Sequence, residues 1–140
     1  MEPKIINAKR ILIINVNWIG DALFSTPFIH AIRNLYPESF IACMITPRTK
    51  EALENNPYID KLIIFDEDMS HKGLLGKLKF AFELRKLRFD TAFFLHRSAT
   101  RRFIAFLAGI KRRIGYPGLK GSFFLTDTVE GPPEEMHKAD

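Results

Sequence analysis

Residues 11–16 read ILIINV, an apolar run that does not alternate with polar residues. Continuous runs of this length are expected of parallel strands that are covered on both faces, whereas a strand with one wet face alternates. Three further runs match it: 40–45 (FIACMI), 62–65 (LIIF) and 91–95 (TAFFL). The stretches between them read as helices. The first covers 27–35, where Phe28, Ile32 and Leu35 recur at helical spacing, Thr26 offers an N-cap and Pro27 a first helical position, and Pro37 marks the stop. A shorter helix fits 49–55, capped by Thr49 and closed by Pro57. A long basic helix fits 74–87, and a fourth fits 99–108 with Gly109 placed to end it. Strand and helix alternate throughout, which predicts an α/β fold: a Rossmann-like parallel sheet with right-handed crossovers and helices on both faces. A short fifth strand is expected at 112–115. Beyond Tyr116 the density of Gly and Pro makes 121–140 read as loop and linker, so the folded domain is expected to span 1–120.

At 140 residues with 46% hydrophobic and 26% charged composition, the chain is sized for one domain with a substantial core and is too apolar for a disordered tail. No apolar run reaches the ~18 residues of a membrane span, and no apolar stretch follows the first charges as in a signal peptide, so a cytoplasmic location is expected. Cys43 is alone and reads as a small core residue. The net charge of +5 is uneven: residues 71–140 hold 14 Lys+Arg against 7 Asp+Glu, while 1–70 hold 7 against 9. That asymmetry suggests an anionic partner, which could be nucleic acid, a phosphorylated small molecule or a membrane surface; a solvated basic face is the plainer alternative.

Ligands of open parallel sheets bind outside the carboxyl ends of the strands, where strand order reverses. The segment after the first strand reads Asn17, Trp18, Ile19, Gly20, Asp21. Neither G-x-G-x-x-G nor G-x-x-x-x-G-K-[ST] occurs, which weakens a dinucleotide or P-loop reading. Read alone, Asp21 fits a helix cap and Trp18 a packing residue. A second cluster, His96, Arg97, Ser98, Arg101 and Arg102, opens the fourth helix at the same edge, where helix N–H groups and guanidinium forks can hold an anion; an exposed basic first turn is the competing reading. His30 and His71 have no metal-ligand partner at helical spacing.

The combination of residues 10–21 (RILIINVNWIGD), Thr26-Pro27, Leu35-Tyr36-Pro37 and Asn56-Pro57-Tyr58 resembles the N-terminal domain of glycosyltransferase family 9, the lipopolysaccharide core heptosyltransferases. The form Trp18-Ile19-Gly20-Asp21 looks most like the heptosyltransferase II branch. Phe89-Asp90, Arg97-Ser98, Leu107 to Ile110 and Arg113 to Tyr116 continue the similarity, which covers about residues 9 to 120. The resemblance implies the glycosyltransferase B architecture, two Rossmann-like domains facing a cleft. In it the first domain binds a lipid-linked sugar acceptor and the second, which these 140 residues do not include, binds ADP-heptose. It implies inverting transfer without a metal or other cofactor, with Asp21 as general base. Asn17, Trp18, Gly20, Arg97, Ser98 and Arg101 are the implied substrate-binding positions. Family members often carry a basic residue or Arg-Pro where this sequence has Asn15-Val16, and Ser in place of Asn17, which bears on the charge of the acceptor.

Two other readings stand beside this one. The first is a non-catalytic Rossmann-like module for a nucleotide or phosphosugar. The second is a nucleic-acid binder using Lys111, Arg112, Arg113 and Lys120, disfavoured because aromatic residues are not interleaved with these charges on a strand pair as an RNA-binding sheet requires. The third helix adds its own signal. At 100° per residue Leu74, Leu75, Leu78 and Phe82 form one arc, and Phe80, Leu84 and Leu87 another. The expectation is that the second arc packs on the sheet while the first, aided by Lys72 and Lys77, rests on an anionic bilayer; the alternative is a break near Gly76 that buries both.

Overall fold

The computed structural model describes residues 8–15, 25–66, 73–95, 99–115 and 126–128. They form β1 (Arg10–Ile14), α1 (Thr26–Leu35), β2 (Phe40–Ile45), a 3-10 turn (Pro47–Thr49), α2 (Lys50–Leu53), β3 (Lys61–Ile64), α3 (Gly73–Lys86), β4 (Thr91–Phe94), α4 (Ala99–Leu107), β5 (Arg112–Gly115) and β6 (Asp127–Thr128). The sheet order is β3-β2-β1-β4-β5-β6 with every pairing parallel. The α/β class and four of the strands are as the apolar runs predicted, and the short fifth strand is at 112–115 as expected. The sixth lies inside the stretch read as loop: Asp127 and Thr128 pair with Ile114 and Gly115. Two residues are too few for any periodicity to show.

The central strands β1, β2 and β4 are buried on both faces. Ile11, Ile13, Ile41, Cys43 and Ile45 point toward Ile29 and Ile32 of α1 and Leu53 of α2. Leu12, Ile14, Ala42, Met44, Ala92 and Phe94 meet Phe80, Ala81 and Leu84 of α3 and Ile104, Ala105 and Ala108 at α4. Burial pushes the Cys43 thiol up to about 12, against the lowering effect of a 3.5 Å contact from Asn15 Nδ2, so the thiol is a packing group.

Helix ends differ from the sequence reading by small shifts with identifiable causes. Thr26 is the first residue of α1, not its cap; Ser25 holds the cap position without a capping side-chain bond, because its hydroxyl accepts from Asn15 Nδ2 at 2.9 Å. The segment read as one helix from Thr49 is split. Thr46 and Thr49 close on each other, Thr46 N–H donating to Thr49 Oγ1 at 3.2 Å and Thr49 N–H to the Thr46 carbonyl at 3.0 Å, which tightens the start into a 3-10 turn. Gly109 ends α4 as expected. Its φ of +76° is the left-handed conformation that favours glycine, and Arg85 reaches from α3 to donate to the Leu107 carbonyl at 3.1 Å.

The amino edge of the sheet is locked by two aspartates, each one residue before a strand. Asp60 precedes β3 and accepts from Ile41 N–H of β2 at 2.8 Å and from Arg33 Nη2 at 2.7 Å. Arg33 also holds the carbonyls of Ser39 and Tyr58. Asp90 precedes β4 and accepts from both Lys9 and Arg10 N–H at 3.0 Å, while its other oxygen takes the Thr91 hydroxyl at 2.8 Å.

Partial burial would raise the Asp60 pKa, but the Ile41 N–H and the Arg33 guanidinium outweigh it and hold the carboxyl below its usual range. A depressed carboxyl stabilises the fold above its unfolded pKa of about 3.9, and that contribution fades as pH falls through the folded value. Asp60→Asn should therefore cost under about 1 kcal/mol at pH 7, since the pair is partly exposed. In urea unfolding the gap to the unsubstituted chain should close below about pH 4. A gap that widens with acid would show that Asp60 does not act through its charge.

Candidate functional site at the carboxyl edge of the sheet

β1 lies between β2 and β4, and the chain leaves β1 and β4 in opposite directions. After β1 it passes to α1 on one face, and after β4 to α4 on the other. Open parallel sheets hold their ligands outside the carboxyl edge between two such exits, which makes this edge the candidate site. The stems of the two connections touch, Leu95 N–H donating to the Ile14 carbonyl at 2.9 Å.

The expected residues fall on these connections. Asn17, Trp18, Gly20 and Asp21 belong to residues 16–24 and Arg97 and Ser98 to residues 96–98, all outside the described residues, as is His71. What is described is how the first segment is anchored. Asn15 is 2% exposed; its backbone N–H donates to the Met44 carbonyl at 3.0 Å and its side chain to Ser25 Oγ at 2.9 Å. That bond joins the two ends of the segment carrying Asp21. Asn15 entered the sequence reading only as a departure from the family pattern, and a polar residue closing an apolar run was the available signal. Its amide is committed to the loop stem and to β2.

Arg101, in the first turn of α4, is 4% exposed, with its guanidinium carbon 5.4 Å from the centroid of the Phe65 ring. Phe65 follows β3 at the carboxyl edge and packs on Phe80 of α3 at 4.8 Å. Arg102 is fully buried, 6.0 Å from the centroid of Phe94. An exposed basic first turn is thus wrong for these two residues. Arginine can be buried in this way because its planar, weakly hydrated head stacks on aromatic faces. The described arginines of β5 are also partly enclosed: Arg113 donates to the Ile110 carbonyl at 2.6 Å and lies over Phe106. His30 is exposed and stacks on Tyr58 at 4.2 Å. Among the described residues, no group of three or more His, Cys, Asp and Glu gathers as a metal site.

No protein-family model matches the chain. Among curated proteins it is 27% identical over 109 residues to lipopolysaccharide heptosyltransferase 2 of Escherichia coli, a match covering 78% of this chain and 31% of that protein. Among solved structures it superposes on a family 9 glycosyl transferase of Veillonella parvula with a TM-score of 0.80 and 26% identity, over 93% of this chain and 37% of that one. With the Escherichia coli ADP-heptose lipopolysaccharide heptosyltransferase II the TM-score is 0.75 at 25% identity, over 89% and 36%. The fold is therefore that of a Rossmann-like α/β domain whose structural neighbours are glycosyltransferases of the B architecture. Within that class the resemblance to the heptosyltransferases of glycosyltransferase family 9 holds over most of the chain, which spans about a third of the length of the relatives it matches.

Proposed function

We propose that this chain is the acceptor-binding first domain of an inverting, metal-independent glycosyltransferase that moves heptose from ADP-heptose to an anionic, lipid-linked lipopolysaccharide core acceptor. The observation that carries the reading is the fold, which aligns with heptosyltransferase II over 89% of this chain and sets β1 beside β4 with their connections leaving toward opposite faces. Donor groups belong to a second domain, so residues 1–140 alone do not transfer sugar. The work takes place on the cytoplasmic side of a membrane, with peripheral contact to its anionic surface. No described helix is long and apolar enough to cross one.

In this mechanism an acceptor hydroxyl attacks the anomeric carbon from the face opposite the diphosphate. The bond to the leaving oxygen breaks, ADP departs with the electron pair, and the configuration inverts. Asp21 takes the hydroxyl proton as the new bond forms, which requires only hydrogen-bond reach. One carboxylate suffices, because the leaving group is already a stable anion. Arg97 and Ser98 hold the acceptor's carboxylates or phosphates, for which a guanidinium fork is suited, whereas Arg101, expected beside them, is buried over Phe65 and packs instead. Asn17, Trp18 and Gly20 shape the wall around the attacking hydroxyl. The test is transfer from ADP-heptose to a heptose-deficient core acceptor by a chimera that joins residues 1–140 to the donor domain of heptosyltransferase 2. The chimera should turn over and the 140-residue chain should not. A well-folded chimera without turnover counts against the reading.

A further inference from the structure

α3 is a single uninterrupted helix from Gly73 to Lys86, so no break near Gly76 buries both of its apolar arcs. Phe80, Ala81 and Leu84 are buried and Leu87 packs against the same core, as the arc of Phe80, Leu84 and Leu87 predicted. The other arc is left outside: Leu75 is 83% exposed, Phe82 67% and Leu74 66%. Leu75 and Phe82 are seven residues apart, two helical turns, and so lie within about 20° of each other on the side opposite the buried stripe. Leu78, half-buried, stands between the outer pole and the core.

The charges around this ridge are mostly positive. Lys79 and Lys86, also seven apart, run along one flank, and exposed Arg85 lies on the other. Glu83 is the acidic residue of the helix, 3.8 Å from Lys86. Lys77, one of the two cations first assigned to the membrane, is only half-exposed, and Lys72 lies outside the described residues.

We infer that the outer face of α3, with Leu75 and Phe82 at its pole and Lys79, Lys86 and Arg85 beside them, is a docking surface for an anionic lipid bilayer. An interfacial helix has this composition, with apolar side chains that enter the acyl boundary and cations at headgroup level. A second copy of the chain is the poorer occupant, because a two-fold interface through this face gathers Lys79, Arg85 and Lys86 of both copies along one seam. The placement also suits the site. α3 follows β3 and therefore starts at the carboxyl edge, so Leu74 and Leu75 lie at the edge of the candidate site. This inference rests on the proposed lipid-linked acceptor, and it deepens that proposal by naming the surface through which the domain reaches the lipid.

Flotation of the 140-residue chain tests it without any sugar transfer, so a failure here is separate from a failure of the chimera assay. With vesicles of phosphatidylcholine and phosphatidylglycerol at about three to one, the chain should float at low salt and dissociate as salt rises; with phosphatidylcholine alone it should stay at the bottom. Leu75→Ser with Phe82→Ser should weaken vesicle binding at least about tenfold. Lys79→Glu with Lys86→Glu should remove the preference for anionic lipid while leaving the circular dichroism melt unchanged. The inference is overturned if the chain does not float with anionic vesicles at low salt, or if the Leu75/Phe82 variant floats as well as the unsubstituted chain. It is also overturned if those two side chains prove to hold a dimer that ignores vesicles.

Discussion

Asp21→Ala, placed in the two-domain chimera, should lower heptose turnover by about 10²- to 10⁴-fold, the usual worth of a general base. That range corresponds to roughly 3–5 kcal/mol of transition-state stabilisation. The loss should appear in kcat, since the base acts on a proton that moves only as the new glycosidic bond forms, and the thermal melt should stay within about 2 °C of the unsubstituted protein. The alternative for Asp21 is a helix cap, which makes the opposite forecast. Losing a cap costs about 1 kcal/mol of stability and has no reason to remove turnover. Turnover within tenfold of the unsubstituted chimera, together with a lowered melt, would return Asp21 to that structural role.

Asp90→Ala should produce the largest stability loss among the polar residues described here, about 2–3 kcal/mol at pH 7. Its carboxylate accepts from two consecutive backbone N–H groups at the amino end of β1 and from the Thr91 hydroxyl. The substitution strands all three donors at the junction of the two central strands. Bonds to a charged acceptor are worth about 1.5–3 kcal/mol each where buried and less where water can replace the partner, as it can at Lys9. Asp90→Asn keeps one acceptor oxygen and should lose roughly half as much. The check is the urea midpoint at constant slope, so that the change reports stability and not an altered unfolded state. A shift under about 0.5 kcal/mol for Asp90→Ala would mean that the clip contributes little. Phe89-Asp90 entered the sequence reading as part of a family pattern, and the structure gives Asp90 a mechanical reason for being there.

The layers of this fold were legible because burial on both faces leaves a direct mark: runs such as 11–16 and 40–45 have no polar side to show. The two arcs of α3 were legible too, since 74–87 carries two apolar stripes at helical spacing. The boundaries were less so. Whether Ser25 or Thr26 caps α1 depends on where Ser25 sends its hydroxyl, and it sends it to Asn15, a partner ten residues back that no local pattern announces. Arg101 and Arg102 show the limit of reading charge as exposure. Their burial depends on Phe65, just after β3, and Phe94 of β4, which become their neighbours only when helix and sheet have packed. For the chemistry, likeness to family 9 gave Asp21 and Arg97 as expectations, and both lie outside the described residues. The Asn15 to Ser25 bond that closes the Asp21 segment was not legible, because it is a product of the fold.

The central claim, that this domain receives the acceptor and not the nucleotide sugar, is tested most directly by a nuclear magnetic resonance titration of the ¹⁵N-labelled 140-residue chain. One arm adds a delipidated, heptose-deficient core oligosaccharide and the other adds ADP-heptose. The account predicts saturable shifts of the amides of residues 17–21 and 96–98 with the oligosaccharide, reduced by raised salt because the acceptor is anionic, and no saturable shift at these amides with ADP-heptose. Saturable shifts of those amides with ADP-heptose, and none with the oligosaccharide, would contradict it and make the chain a nucleotide-sugar binding module.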